Sequence, residues 1–364
     1  MNASAQKETA AGAPMDCLGV DVAKATFDAS FVGVERAGSG VRPGELAVRT
    51  FPRAREGAAA AVAWMEEQRP EGRRGLPARV TMEATGQYSS ELAKWFCSAC
   101  ALLVPSIVNP HDAAHHRRSL APRNNTDALA ARALALFGLE RQPRAYEPMA
   151  PERVELRALS RHRDDVVKAR TALKNRMGEP SASAWVRSQQ TRELRRLDRE
   201  VQRAEKRIEQ HLGRYPELKA EIDRLDTVDG VGRVTAIAVA AEMGDLRAFG
   251  RARQMGAFAG LSPQHNESGS SVRGKPRMCK KGNGRVRTAL YMAALSAVRK
   301  DNPFRDLYRR LVAGGLAPRA ALGAVMRKML VVMRAMLIGE RDYDSGRRSG
   351  GKTCGKLGPE PAAV

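Results

Sequence analysis

The chain has 364 residues and a formal net charge of +22, which allows two or three domains with a sizeable core and favours polyanionic partners. Its five cysteines are scattered, no apolar run approaches ~18 residues, and no secretion-signal pattern is present, so neither a disulfide scaffold nor a membrane span is expected. A reducing cytoplasm is the expected location.

The charge is unevenly placed. Residues 1–145 carry 18 Lys+Arg against 15 Asp+Glu, whereas the remaining 219 residues carry 44 against 25. A balanced front half and a basic back half suggest a chemistry domain joined to a region that grips a polyanion. The plainer reading is an Arg-rich composition without functional meaning.

Residues 1–14 are polar with Ala and Gly, and read as a disordered leader. Residues 17–23, 26–32 and 46–51 read as consecutive strands, followed by a helix at 55–68, a strand at 79–83, a helix at 89–98 and a strand at 102–108. Three strands and then alternating helices and strands make an α/β pattern with a mixed central sheet. Pro105 places the last strand at an edge or argues against a strand there. Cys97-Ser98-Ala99-Cys100 has metal-like spacing but no second pair or histidines in register, so it reads as an ordinary helix end.

Asp21 ends the first apolar run, Glu83 ends the run Val80-Thr81-Met82, and Asp127 begins the helix-period segment 126–134. Acids that close two strands and open a helix can converge at one end of a sheet. Such a cluster is costly unless a cation neutralises it. Divalent-metal phosphodiester chemistry is the obvious use, with carboxylates on the order of 4–8 Å apart around ions ~3.5–4 Å from each other.

From 151 to 213 the pattern changes. Leu194, Leu197, Val201, Ala204, Ile208 and Leu212 recur at spacings of three and four among dense charges, giving an amphipathic helix with a narrow seam. Gly178-Glu179-Pro180-Ser181 splits the segment into two helices. The seam can dimerise as a coiled coil or close on its sister helix, and the sequence leaves both open.

Next, Val228-Asp229-Gly230-Val231-Gly232-Arg233 resembles the turn of a helix-hairpin-helix element, where Gly230 and Gly232 would let backbone N–H groups meet a phosphate beside Arg233. A plain tight turn is the alternative. Residues 269–287 hold Arg273, Lys275, Arg277, Lys280, Lys281, Arg285 and Arg287 with no acids and four glycines, a pattern expected of a flexible loop that wraps a phosphodiester backbone. Helices are expected again at 287–300 and 318–338, and the tail at 345–364 reads as disordered.

The motifs Gly19-Val20-Asp21-Val22-Ala23-Lys24, Met82-Glu83-Ala84-Thr85-Gly86, Val108-Asn109-Pro110 and Asn124-Asn125-Thr126-Asp127-Ala128-Leu129 occur in an order that resembles the DEDD insertion-sequence transposases. These include the bridge-RNA-guided recombinases related to the pilin-gene invertase. Val228-Asp229-Gly230-Val231-Gly232, Gly260-Leu261-Ser262-Pro263, Glu267-Ser268-Gly269 and Lys280-Lys281-Gly282-Asn283 extend the resemblance, which covers roughly residues 16–340.

The resemblance implies a RuvC-like (ribonuclease-H-like) domain at 15–148, a helical coiled-coil segment at 151–213 and a mostly α transposase domain at 215–340. Asp21, Glu83 and Asp127 take three of four metal-binding acid roles, for Mg²⁺ or Mn²⁺, and Ser268 takes that of a nucleophilic serine joined covalently to DNA. Donor and target DNA, a non-coding guide RNA and a homodimer or dimer of dimers are the implied partners. The fourth acid position is Ala130, and Asn125 stands where the family usually has lysine. A methyl group ligates no metal, so the chain is an inactivated substitution, a decayed copy or a variant that works with three acids. Asp112 and Glu140 are the other carboxylates that could substitute.

Two rivals come from other classes. The Gly-x-Asp start also resembles actin-like and sugar-kinase ATPases, but the second Asp-x-Gly segment that would hold nucleotide is missing. A non-catalytic nucleic-acid-binding protein is the other, made plausible by Ala130.

Overall fold

In the computed structural model, the described residues are 15–120, 126–179, 183–268 and 272–344. The expected leader and tail, and Asn124 and Asn125, lie outside them. The chain divides into two compact units, Met1–Pro148 and Met149–Val364.

The front unit is built on a five-stranded mixed sheet of order β3-β2-β1-β4-β5. Strands β1 (Asp16–Val22), β2 (Thr26–Val32) and β3 (Val48–Pro52) are joined directly and run antiparallel. Strands β4 (Ala78–Glu83) and β5 (Leu103–Val108) run parallel to β1, because α1 (Arg55–Gln68) and α2 (Gln87–Ala99) carry the chain back between them. Pro105 lies in the edge strand β5. Two further helices follow, α3 (Pro110–Leu120) and α4 (Asp127–Arg141). The sequence reading passed over α3, although Asn109 before Pro110 is a cap signal: the Asn109 Oδ1 accepts from the His111 N–H at 2.9 Å.

Alternation along β1 sorts its side chains between two faces. Leu18, Val20 and Val22 join Phe27, Met65, Val80, Met82 and Phe96 in a core with α1 and α2. Cys17, Gly19 and Asp21 face the other way, toward α4, where Cys17 packs with Ala135, Leu136 and Leu139. That approach is close because small residues meet. A Cβ on Gly19 would collide with the backbone of Ala131 and Ala135, and one on Gly138 with Cys17 and Thr81. Since Gly138 lies over Cys17 and Ala131 over Gly19, α4 runs antiparallel to β1, and its first turn overhangs the carboxyl end of the strand.

The back unit is helical. Helices α5 (Pro151–Met177) and α6 (Ala184–Arg214) form an antiparallel hairpin, tied by Arg163 to Glu205 at 2.9 Å and Arg170 to Asp198 at 3.4 Å, with His211 Nε2 donating to the Glu152 carbonyl at 2.8 Å. The expected seam is buried at Leu197, Val201, Ala204, Ile208 and Leu212, and Leu194 is half-buried. Within this unit the seam closes on the sister helix.

Then come α7 (Pro216–Asp226), α8 (Arg233–Met243), α9 (Ala252–Phe258), α10 (Gly284–Ala297), α11 (Pro303–Ala313) and α12 (Pro318–Ile338), around a core that includes Leu212, Ile222, Val239, Leu290, Met329 and Met333. Proline occupies the first helical position of α5, α7, α11 and α12, where its missing N–H costs nothing. A buried bidentate pair, Arg153 to Glu221 at 3.0 and 2.6 Å, joins α5 to α7.

Between α9 and α10 lies an antiparallel pair, β6 (Pro263–Ser268) and β7 (Val272–Met278). This corrects the expectation of a flexible loop over 269–287. Residues 272–278 of that stretch pair with the segment preceding it, because main-chain ladder bonds make a strand even of a basic, glycine-containing sequence. Among the described residues, no helix is long and apolar enough to cross a membrane. Cys17, Cys97, Cys100 and Cys279 are free thiols.

Candidate functional site

Asp21 and Glu83 sit at the carboxyl ends of adjacent parallel strands, one step beyond the Val20–Met82 pair. Both side chains lie on the α4 face by alternation from Gly19 and Thr81. Asp127 reaches the same end from above. Thr126 caps its helix by accepting from the Leu129 N–H at 3.3 Å, and the helix N-terminus favours a carboxylate in this first turn. A further acid, not singled out from the sequence, belongs to the group. Asp28 stands directly opposite Asp21 across the β1–β2 pair, and Thr50 donates to it at 2.6 Å.

These acids act on one another electrostatically. Burial, then the charges of Asp127, Glu83 and Asp28, push the Asp21 carboxyl up to about 6, partly offset by Arg117 of α3. Burial also raises Glu83, again opposed by Arg117. At the other end of β1, Asp16 is neutralised by Arg69 at 2.9 Å and Arg73 at 3.1 Å. One end of the strand carries a satisfied structural acid and the other carries acids facing acids.

The acids do not form a closed ligand set. Among the described residues, no group of three or more His, Cys, Asp or Glu side chains is drawn together closely enough to hold a metal ion. Unscreened carboxylates repel one another, and Arg117 supplies the positive charge they face. The donors are nonetheless all hard oxygens, which suits Mg²⁺ or Mn²⁺ rather than a thiolate-seeking ion.

Ala130, at the expected fourth position, is buried one turn into α4. Glu140 does not stand in for it. It sits ten residues beyond Ala130 along α4, roughly 15 Å away at ~1.5 Å per residue, bonded to His116 at 3.0 Å. Asp112 is exposed, 3.8 Å from His111.

In the back unit, Ser268 is the last residue of β6 and pairs with Val272, while Arg273 pairs with Glu267. The side chains of 265–276, and so of Ser268, Arg273 and Lys275, are outside the described residues. The base of this hairpin is clamped. Cys279 N–H donates to the Ser262 carbonyl at 2.9 Å, Lys280 N–H to Gly260 at 3.1 Å and Asn283 N–H to Phe258 at 2.7 Å. Gly260, at φ +68°, and Gly282 touch backbone to backbone, so a Cβ on Gly282 would collide with the Gly260 amide and the Phe258 carbonyl. Asn283 caps α10 through the Arg285 and Val286 amides, and its side-chain amide donates to the buried Glu242 at 2.8 Å. Glu242 in turn holds Arg161 at 2.6 and 2.8 Å.

Several cations expected to meet phosphate are engaged inside the unit. Arg233 is bound by both oxygens of Glu209 and by Asp223. Arg285 pairs with Asp165 at 3.1 Å. Arg287 donates to the carbonyls of Ala259 at 3.0 Å and Lys280 at 3.4 Å, bracing the clamp. Arg277 and Lys280 are exposed, with Lys280 at φ +58°. Gly230, at φ +83°, lets its turn pack on α10, since a Cβ there would meet Ala293 and Ala297. Gly232, by contrast, opens α8 with free space around it. Sequence could not foresee these intramolecular partners, since Glu209, Ala259 and Asp165 lie 24, 28 and 120 residues from the arginines they bind.

A mixed sheet whose first and fourth strands and covering helix deliver acids to one end is the layout of a ribonuclease-H-like nuclease domain. Residues 18–179 match the DEDD transposase family of IS110 type, and residues 222–309 match the transposase family IS116/IS110/IS902. The chain belongs to these DEDD insertion-sequence transposases. It is similar to the pilin gene-inverting protein of Moraxella bovis, 27% identical over 90% of this chain and 97% of that protein. A probable family 20 transposase of Pseudomonas aeruginosa is 28% identical over 74% of this chain and 87% of its own length. The transposase for insertion sequence element IS1111A of Coxiella burnetii is 25% identical over 73% and 79%. The match to a DEDD family is not consistent with the class of serine recombinases, to which the resemblance and a nucleophilic Ser268 pointed.

Proposed function

We propose that this chain is a divalent-metal-dependent DNA transposase that cuts and rejoins strands at the ends of its insertion sequence. The reading is supported by Asp21 and Glu83 at the carboxyl ends of adjacent strands under the helix that opens with Asp127, where burial, then the charges of Asp127, Glu83 and Asp28, raise the Asp21 carboxyl to about 6. These three, with Asp28 as a fourth oxygen donor, would hold Mg²⁺ or Mn²⁺. When bound, the ion would polarise the scissile phosphate and stabilise the leaving oxygen.

The chain's own residues do the rest. Asp127 is fixed by the Thr126 cap, and Asp21 by the close seating of α4 on Gly19. Arg117 faces the same end of the sheet, where a phosphate oxygen would meet its charge. Ser268, held on a hairpin with a clamped base, is proposed as the nucleophile. Its Oγ–P bond would form as the P–O bond to the leaving strand breaks, the hydroxyl proton passing to a base and the leaving oxygen taking one from solvent. The turn at Gly230 and Gly232 is proposed as a helix-hairpin-helix phosphate contact through Gly232, and the α5–α6 hairpin as a coiled-coil element of a homodimer or dimer of dimers. A structured guide RNA, a family property in the resemblance, is proposed to select donor and target DNA in the cytoplasm, at the nucleoid.

The test is strand cleavage by the full chain on DNA bearing the element's ends, with and without Mg²⁺. Asp21→Asn, Glu83→Gln and Asp127→Asn should each abolish cleavage and leave DNA binding intact. Cleavage by the acid variants at the parent rate would overturn the reading. Ser268→Ala should remove a protein–DNA adduct that survives denaturation; cleavage without any adduct in the parent would remove the serine from the mechanism. The second reading, a binding protein with impaired chemistry, is favoured by one observation, the buried methyl group of Ala130 one turn from Asp127.

A further inference from the structure

We propose that the outward ridge of α6 is a docking surface for the backbone of duplex DNA, separate from the acidic site and from the basic hairpin. Arg192, Arg195, Arg199, Arg203 and Lys206 are all exposed, and at ~100° per residue they fall within about 60° of one line along the helix. Arg196 and Arg207 widen the same ridge and are exposed too. It lies opposite the seam of Leu197, Val201, Ala204 and Ile208, so the face cannot be part of the core.

The acids of α6 are kept off it. Asp198, Glu205 and Glu209 turn to one flank and bind Arg170, Arg163 and Arg233. Glu193 and Glu200 lie on the other flank, where Glu193 pairs with Arg196 at 2.7 Å and Glu200 with His162 at 3.4 Å and Arg203 at 3.6 Å. An ordinary solvated face gains by mixing signs at spacings of three and four, and like charges there weaken a helix. Here Arg192 and Arg196, Arg195 and Arg199, Arg199 and Arg203, and Arg203 and Arg207 repel at that spacing. A ridge that costs the free helix stability is accounted for by a partner that removes the repulsion.

The dimensions fit such a partner. From Arg192 to Arg207 the ridge spans roughly 22 Å at ~1.5 Å per residue, a length over which B-DNA presents about one phosphate charge per ~1.7 Å. Arginine dominates it, as suits phosphate recognition. The choice of DNA as the occupant rests on the reading of the chain as an enzyme that acts on DNA.

The test is the salt dependence of binding of the full chain to a mixed-sequence DNA duplex of about 30 base pairs, longer than the ridge at ~3.4 Å per pair. Binding is followed by fluorescence anisotropy, without divalent ions. In R192Q/R195Q/R199Q/K206Q the slope of log K against log salt should become shallower by about three to four units, at ~0.9 per lost contact. Affinity near physiological salt should fall on the order of 100-fold. Glutamine is as good a helix former as the residues it replaces, and circular dichroism checks that the fold is kept. R192K/R195K/R199K retains the charge and should retain the slope.

An unchanged slope in the glutamine variant overturns the proposal, as does a lysine variant that loses as much as the glutamine one. Loss confined to a matching RNA duplex overturns the choice of DNA. A parent chain that binds no DNA duplex under any salt overturns the DNA-acting reading itself, which separates that failure from failure of the ridge.

Discussion

Replacing Asp21 by Asn in metal-free protein should make the front unit more stable at neutral and alkaline pH. The Asp21 carboxyl lies at about 6 in the folded chain against 3.8 for an ordinary aspartate, burial being the first cause and the charges of Asp127, Glu83 and Asp28 the next. At ~1.4 kcal/mol per pH unit this is a ceiling of about 3 kcal/mol. The site is partly open to solvent, so screening reduces the expected effect to about 1–2 kcal/mol. Because the folded form holds its proton more tightly, it binds more protons than the unfolded chain between the two values. Stability therefore falls as pH rises through that window and stays lowered above it. Asparagine does not titrate and escapes the penalty. Scanning calorimetry of the full chain with a chelator should show a transition raised by roughly 3–6 °C in Asp21→Asn near pH 8, with the difference vanishing near pH 4. Added Mg²⁺ should then stabilise the parent more than the variant. A variant that is equally or less stable near pH 8, or a difference that does not depend on pH, would refute the grouping of these acids.

Ala130→Asp should raise Mg²⁺-dependent cleavage and Asp28→Asn should lower it, both with unchanged DNA affinity in an anisotropy assay; if Asp28→Asn cleaves normally, Asp28 is no ligand. Gly19→Ala should destabilise the front unit by about 3 kcal/mol or more in urea unfolding, since the new methyl group meets helix backbone that cannot yield. Burial alone would raise the Glu242 carboxyl, but hydrogen bonds from Arg161 and Asn283 hold it below its usual range. Its contribution to stability is present above an unfolded value of 4.5 and lost as pH falls below it. Glu242→Gln should accordingly cost about 1–3 kcal/mol near pH 7 and progressively less toward acid, read from denaturation midpoints of the back unit.

Much of the front sheet was legible because strand ends are marked by composition. The apolar runs before Asp21 and Glu83 stop where the acids begin, and Pro105 identified an edge. Asp28 was missed, yet a short connection between strands makes residues equidistant from the turn face each other, and Asp21 and Asp28 are such a pair. Arg117 was missed with its helix, whose only strong signal is the Asn109-Pro110 cap. The back unit was harder to read. Arg233, Arg285 and Arg287 look alike in sequence, and their separation from Arg277 and Lys280 depends on Glu209, Asp165 and the Ala259 carbonyl, partners set by tertiary packing. The stretch 272–278 lacked hydrophobic alternation, so nothing local announced a strand whose stability comes from its neighbour.

The contact between Gly260 and Gly282 has a bearing on how this protein can diverge. Where two side chains touch, a larger one on one partner can be answered by a smaller one on the other, and the pair drifts together over generations. Two bare backbones have nothing left to trim. A side chain gained at either glycine has no rescuing change at the other, so both positions are frozen while the hairpin beyond them remains free to lengthen, shorten and change its charge. Variation should therefore accumulate in the strands beyond the clamp rather than at the two glycines.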